Sequence, residues 1–198
     1  MVTNRWQRAD VPRGDDYDAR WRALAATGTN IHGEADLVES MLAENGGRTV
    51  FDAGCGTGRV AIELARRGIA VVGADVDAGM LGTARTKAPD LTWIEADLAD
   101  LAEVGGPFDL VLLAGNVMIF LEPGTEERVV ANLVGLLVPG GLLVAGFSLR
   151  PGRLSVDRYD ELTASAGMTF WQRFSTWDRE PFDGGDYAVS AHRRTAPG

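Results

Sequence analysis

Lysine is almost missing from this 198-residue chain: eighteen of its nineteen basic residues are arginine, and the one lysine is Lys87. That scarcity removes one class of nucleotide site, because the phosphate loop G-x-x-x-x-G-K-[ST] needs a lysine beside its glycines and Lys87 stands beside none. Cysteine is equally scarce. With Cys55 alone, an internal disulfide and a Cys/His zinc cluster are both excluded, no metal site is expected, and a reducing cytoplasm is the natural compartment. Positive charge is short overall, 19 basic against 28 acidic residues for a net charge of -9. That balance argues against a protein that neutralises nucleic-acid phosphates, Arg193-Arg194 being no more than a local basic pair. No apolar run approaches the roughly 18 residues of a membrane span, and the polar stretch 1–18 has no apolar core of a secretory signal. With 45% hydrophobic and 24% charged residues, what is present suits one globular domain with a full core, and a small molecule is the expected partner.

The chain carries no internal repeat and divides into a polar, aromatic-dotted part and a regular alternating part. Short Val/Leu/Ile-rich runs at 49–53, 70–74, 91–94, 108–114 and 142–147 are spaced by helix-length segments and read as buried parallel strands. The segments 59–67, 78–88 and 122–137 read as the crossover helices. Gly68 is a stop for the first; Pro123 suits the first turn of the last, and Pro139-Gly140-Gly141 a tight turn into the next strand. After Arg150 a helix over 155–165 and two strand-like runs at 168–178 and 187–193 predict an antiparallel hairpin closing one edge. Upstream, 15–26 and 33–45 read as two helices that could cover the ligand end. The fold class predicted is therefore α/β, a doubly wound, mostly parallel sheet with a C-terminal antiparallel hairpin. The domain runs 1–198, with an N-terminal helical lid over 1–46 and a Rossmann-like core over 47–198. Ligands of such sheets bind at the carboxyl ends of the strands.

One of those ends is distinctive. Val50-Phe51-Asp52-Ala53-Gly54-Cys55-Gly56-Thr57-Gly58-Arg59 is a strand that runs through three alternating glycines straight into a helix. Its G-x-G-x-G spacing breaks the dinucleotide pattern G-x-G-x-x-G, since Arg59 stands where the third glycine belongs. Asp52, two residues before Gly54, would repel a pyrophosphate and attract an amino group or a sulfonium. Asp75 ends the next strand, 21 residues after Gly54, where a carboxylate can accept from both ribose hydroxyls. Asp97 ends the third strand, where an acceptor suits an adenine amine. Three acids at three successive strand ends outline one elongated, partly cationic ligand.

These residues resemble the class I, seven-stranded S-adenosylmethionine-dependent methyltransferases, over about 150 residues from Arg48 to Arg194. The resemblance implies that Asp52-Ala53-Gly54-Cys55-Gly56-Thr57-Gly58 wraps the methionine end, that Asp75 binds ribose, and that Val76 packs on adenine while Asp97-Leu98 reads its edge. It also aligns Phe108-Asp109-Leu110-Val111 with the fourth strand, Ala114-Gly115-Asn116 with its ligand-facing end, and Leu137-Val138-Pro139-Gly140-Gly141 with the turn before the fifth. Met80 completes the expected cofactor set. The N-terminal Tyr17-Asp18-Ala19-Arg20-Trp21 and His32-Gly33-Glu34 are similar to small bacterial members with unassigned substrates. S-adenosylhomocysteine would be the product.

Other residues admit two readings. Cys55 reads as loop packing with a backbone ligand contact rather than as a nucleophile. Tyr17 and Trp21, four apart on one helical face, are either core packing or an aromatic wall beside the sulfonium. Asn116 could hold the methionine group or the substrate through its amide. His32, with Glu34 beside it, is the candidate general base, set against a helix-start cap, whereas His192 reads as structural. A base is optional, because the sulfonium methyl is itself electrophilic. The cysteine needed for cytosine C5 methylation is committed to the glycine loop. The Pro-Pro-aromatic signature of amino-methylating nucleic-acid enzymes is replaced by Asn116-Val117-Met118-Ile119, which with Phe120 suggests a partly apolar pocket for a small acceptor. Two other readings stay open: a non-catalytic S-adenosylmethionine-binding regulator and, disfavoured by Asp52 and Arg59, an NAD-dependent oxidoreductase.

Overall fold

The computed structural model describes residues 5–9, 11–101 and 104–195, so the outermost positions of the expected domain lie outside the described residues. Seven strands form one sheet: β1 (Thr49–Ala53), β2 (Ala70–Asp75), β3 (Thr92–Glu95), β4 (Phe108–Leu113), β5 (Leu137–Ser148), β6 (Met168–Phe174) and β7 (Tyr187–Arg194). Their order is β3-β2-β1-β4-β5-β7-β6. The first five are parallel, while β7 runs antiparallel between β5 and β6. The chain steps outward from β1 to β2 and β3, then returns to β4 on the other side of β1. This reversal opens a crevice between β1 and β4 at their carboxyl ends.

Eight helices accompany the sheet among the described residues: α1 (Arg5–Arg8), α2 (Gly14–Ala26), α3 (Gly33–Asn45), α4 (Arg59–Arg66), α5 (Ala78–Lys87), α6 (Val117–Phe120), α7 (Glu126–Gly135) and α8 (Val156–Ser165). The central strands β1, β4 and β5 are largely buried on both faces, which explains their continuous apolar runs, while β3 and β6 at the two edges are half-exposed. On one face Val38, Met41 and Leu64 of α3 and α4 pack against Val50, Leu110 and Leu112. On the other, Leu133 of α7 and Tyr159 and Leu162 of α8 pack against Phe51, Val111 and Leu143. Thus α3 is a core helix, and among the described residues of the N-terminal segment Trp6 of α1 and Tyr17 of α2 line the ligand end.

The structure departs from the sequence expectation in several places: the strand expected over 168–178 ends at Phe174, and three further departures have a local cause. The third crossover helix begins at Glu126, not 122, because Pro123 and Gly124 sit in a turn closed by Thr125 N–H donating to the Glu122 carbonyl (3.1 Å). The short α6 ahead of it follows Asn116 at φ 71, a left-handed position that periodicity does not signal. Pro139-Gly140-Gly141 is not a turn before β5 but lies within it: Leu137 pairs with Phe108, and pairing resumes at Leu142 with Leu110 after a register shift.

Candidate functional site

The crevice at the ends of β1, β2 and β4 is a cleft partly open to solvent and lined by side chains of both strand ends and loops, the place where ligands of such sheets bind. Its floor is the glycine loop between β1 and α4. Gly54 (φ +78) and Gly58 (φ +79) take left-handed backbone, and a Cβ at either would lie 2.5 Å from Val117 or from Trp93 respectively. Both conformation and space therefore demand glycine. The loop's amides are turned inward: Gly54 and Cys55 N–H both donate to the Ala74 carbonyl (2.7 and 2.9 Å), and Gly58 N–H donates to the Cys55 carbonyl (2.9 Å). Gly56 N–H donates to Asp75 Oδ2 (2.8 Å). A phosphate-binding loop presents such amides to its ligand. Here four of them are already taken by the protein, so the floor does not make a pyrophosphate nest.

Three carboxylates line the cleft, Asp52, Asp75 and Asp97. Asp52 is 2% exposed, and burial pushes its carboxyl up to about 7 against the pull of Arg59, with Asp75 and Glu34 adding to the rise. Burial likewise raises Asp75, whose Oδ1 accepts from Asp77 N–H (2.9 Å) while Gly56 holds Oδ2. Val76 N–H bears on the same carboxylate, so three backbone donors hold it and about one of its acceptor sites is left for a ligand hydroxyl. Asp97 caps a single 3₁₀ turn, Leu98–Asp100, by accepting from Ala99 N–H (2.9 Å). Among the described residues that line the cleft, Arg59 is the one that carries positive charge, and it is tied to Glu34. The cleft is thus short of cations, an arrangement that welcomes a cationic ligand.

Of the residues expected from sequence, the structure brings Tyr17, Asp52, Gly54, Cys55 and Gly56 into this lining. Asp75, Val76, Met80, Asp97 and Leu98 join them from the β2 and β3 ends. Val76 and Leu98 give an apolar slot of the kind a purine needs. Met80 backs the loop, its sulfur accepting from Gly14 N–H at 3.1 Å. Cys55 is buried, and burial holds its thiol far above the usual range, so it is no thiolate nucleophile.

Four expected residues lie outside the lining. Gly58 packs on Trp93 instead of facing the ligand. Asn116 turns its carbonyl oxygen to Ser148 N–H (2.7 Å), tying the end of β4 to β5. Trp21 faces a second groove between α2 and α4, where the Arg59 guanidinium stacks on it at 3.8 Å. His32 lies in that same groove, at the start of α3, with Nδ1 3.9 Å from Glu63. Arg59 is common to the linings of both the groove and the cleft, whereas His32 is in the lining of the groove alone.

Other lining residues stand outside the expected cofactor set. Trp6 of α1 reaches over the cleft mouth, donating to Asp77 Oδ2 (3.0 Å) and meeting Phe120 edge-on at 5.3 Å. Val117, Phe120 and Leu121 form the apolar wall, whereas Met118 and Ile119, expected with them, are buried in the core. Asp18, expected only as part of the N-terminal resemblance, is buried against the loop, accepting from Thr57 Oγ1 (2.5 Å) and pairing with Lys87 (2.6 Å). Among the described residues no group of three or more His, Cys, Asp or Glu is placed to hold a metal ion, and no helix is long and apolar enough to cross a membrane.

The methyltransferase-domain family profile matches residues 50–141, the stretch from β1 through the start of β5. A TehB-like SAM-dependent methyltransferase from Corynebacterium glutamicum superposes with a TM-score of 0.81 at 33% identity, over 92% of this chain and 98% of that one. The chain belongs to the S-adenosylmethionine-dependent methyltransferases. An uncharacterized methyltransferase of Mycobacterium tuberculosis is 37% identical over 131 residues, 64% of this chain and 59% of its own. The glycine/sarcosine N-methyltransferase of Parasynechococcus marenigrum is 31% identical over 136 residues, 66% of this chain and 48% of its own. The chain thus spans about half the length of the curated relatives it matches. The lining fits the family's cofactor in kind: carboxylates at three strand ends, apolar side chains at Val76 and Leu98, and a glycine floor with no room for Cβ atoms at Gly54 and Gly58.

Proposed function

We propose that this methyltransferase moves a methyl group from S-adenosylmethionine to a small-molecule acceptor by in-line displacement. The observation that carries the reading is the acid-lined cleft whose floor turns its amides inward, because it suits a cationic ligand and not the pyrophosphate of NAD. Bound there, S-adenosylmethionine supplies an electrophilic methyl group on a sulfonium. The chain's own part is positioning. Asp75 fixes the ribose, Asp52 sets the charge at the methionine end, and the Gly54 and Gly56 backbone allows close approach. Trp6, Phe120 and α2 shield the reacting atoms from water.

The acceptor enters along the apolar wall of Val117, Phe120 and Leu121, and the room left beside the cofactor restricts it to a small molecule. The acidic surface, net charge -9, disfavours nucleic acid. The glycine/sarcosine methyltransferase relative makes small amines the first acceptors to try. A cytoplasmic location suits the single thiol, Cys55. With His32 in the lining of the groove alone, no general base is assigned to it.

The test is transfer of isotope-labelled methyl from S-adenosylmethionine to a panel of small amines, thiols and phenols, with the His32→Ala variant alongside. Labelled product from both proteins at equal rates is expected. Tight cofactor binding with no transfer to any acceptor would favour the regulatory-binder reading. A His32→Ala variant that binds cofactor normally but is inactive would restore His32 as the base.

A further inference from the structure

We propose that the groove between α2 and α4 is a second small-molecule site, separate from the cofactor cleft, and that it takes a small organic anion with an apolar body. The inference goes beyond the methyl-transfer reading and does not depend on it.

The two hollows differ in charge. The cleft is lined by three carboxylates and, among the described residues, one cation, Arg59. The groove has a volume of about 440 Å³, within the range of small-molecule sites. Among its described lining residues four cations, Arg22, Arg59, Arg66 and Lys87, stand against two acids, Asp18 and Glu63. On a chain of net charge -9, a concave surface with surplus positive charge runs against the composition and draws anions from solution.

The pairing shows which of those cations a ligand meets. Lys87 Nζ lies 2.6 Å from Asp18 Oδ2, and Arg59 is held by Glu34 of α3. Glu63 Oε1 accepts from Arg67 Nε (3.0 Å), while its Oε2 is 4.0 Å from Arg66. The Arg66 side chain is 74% exposed, and an ion contact of that length in water contributes little. Arg22 donates to the Asp15 carbonyl at 3.4 Å, and no carboxylate among the described residues pairs with it. Arg22 of α2 and Arg66 of α4 are therefore the two cations left for an incoming anion.

The rest of the lining sets the body of that anion. Trp21, Ile31 and Ile62 give the groove an apolar part, against which a ring or short chain sheds water. The Trp21 Nε1–H is buried and has no acceptor among the described residues, a costly state for a donor. The oxygen of a bound carboxylate is an acceptor of the kind it lacks. An inorganic anion would use the arginines and leave the apolar part bare; a carboxylate on a ring uses both. Arginines that only solvate their helices would instead bind a carboxylate no better than its uncharged amide.

Titration with 2-naphthoate, and with 2-naphthamide as the uncharged molecule of the same shape, separates these roles by calorimetry. The variant is Arg22→Gln/Arg66→Gln, two exposed helix positions where glutamine keeps the helix propensity, with circular dichroism as the check on its fold. Wild-type protein should bind 2-naphthoate saturably, one per chain, and more tightly than the amide. The double variant should bind 2-naphthoate about 3- to 30-fold more weakly, the scale of two exposed charge contacts, and the amide as wild type does. Because Arg59 lines both hollows, the titration is repeated with saturating S-adenosylhomocysteine, which should not displace the naphthoate.

Equal binding of acid and amide, unchanged affinity in the double variant, displacement by S-adenosylhomocysteine, or no saturable binding would each overturn the proposal. If S-adenosylhomocysteine itself fails to bind, the cofactor reading falls, and the comparison of acid, amide and variant still decides this one.

Discussion

Asp109 and Asp52 stand on neighbouring strands at opposite ends of the sheet, and the chain treats them oppositely. Asp109, at the start of β4, accepts from Arg48 N–H (2.8 Å), Thr49 N–H (2.9 Å) and Thr49 Oγ1 (2.8 Å). Despite some desolvation, those hydrogen bonds hold its carboxyl below the usual range. Asp52, near the end of β1, is buried beside Asp75 with Arg59 as its facing cation, and burial lifts it to about 7. One acid is satisfied by the protein and closes the seam between β1 and β4. The other is left in excess of positive charge, in a cleft. The contrast teaches where to look for a ligand: at the strand ends, where Asp52, Asp75 and Asp97 outnumber the one cation that lines the cleft with them among the described residues.

Substitutions at the two ends should separate binding from stability. The largest effect falls on Asp75, the ligand-end acid that lines the cleft at the end of β2. Asp75→Ala should weaken S-adenosylhomocysteine by about 1–3 kcal/mol, roughly 5- to 150-fold, with the fold intact by circular dichroism; unchanged affinity would mean that the ribose lies elsewhere. At the closed end, Asp109→Ala should lower unfolding free energy in urea by about 1–2 kcal/mol, since three donors lose their acceptor, while leaving cofactor affinity as it is. A loss of affinity as large as that at Asp75 would erase the distinction between the two ends.

A further effect is one of pH, and its sign differs between the ends. Between pH 3.8 and about 7 the unfolded chain releases the Asp52 proton and the folded chain keeps it, so this group's contribution to stability falls as pH rises through that window. Asp109 is lowered on folding, so its contribution is present above the ordinary carboxylate range and is lost as pH falls through its folded value. Asp52→Asn should therefore make the melting temperature of the cofactor-free protein decline less between pH 5 and pH 8 than it does in wild type. An identical pH profile for the two proteins would show that Asp52 ionises normally.

Much of this was legible in the sequence because its physics is local. Each of the five parallel strands was marked by a short apolar run, and the glycine spacing and the acids at 52, 75 and 97 needed only their strand ends to be placed together. What escaped depends on contacts between distant segments. Asn116 looked ligand-facing, but an amide of β5, Ser148 N–H, needed an acceptor at 2.7 Å, and no periodicity reveals that need. Tyr17 and Trp21 share a helix face, yet four residues turn a helix by slightly more than one revolution. That offset, with Arg59 between the grooves, sends one ring to the cleft and the other away from it. Trp6 and α6 were missed because a lone aromatic in a polar stretch and a four-residue helix after a left-handed Asn leave no repeating pattern to read.

The most direct test of the central claim, that this cleft takes S-adenosylmethionine and refuses a pyrophosphate dinucleotide, is calorimetric titration of the purified protein with S-adenosylmethionine, S-adenosylhomocysteine and NAD at pH 8. The account predicts micromolar, one-to-one binding of the first two and no heat from NAD. Binding of NAD, or of none of the three, would contradict it.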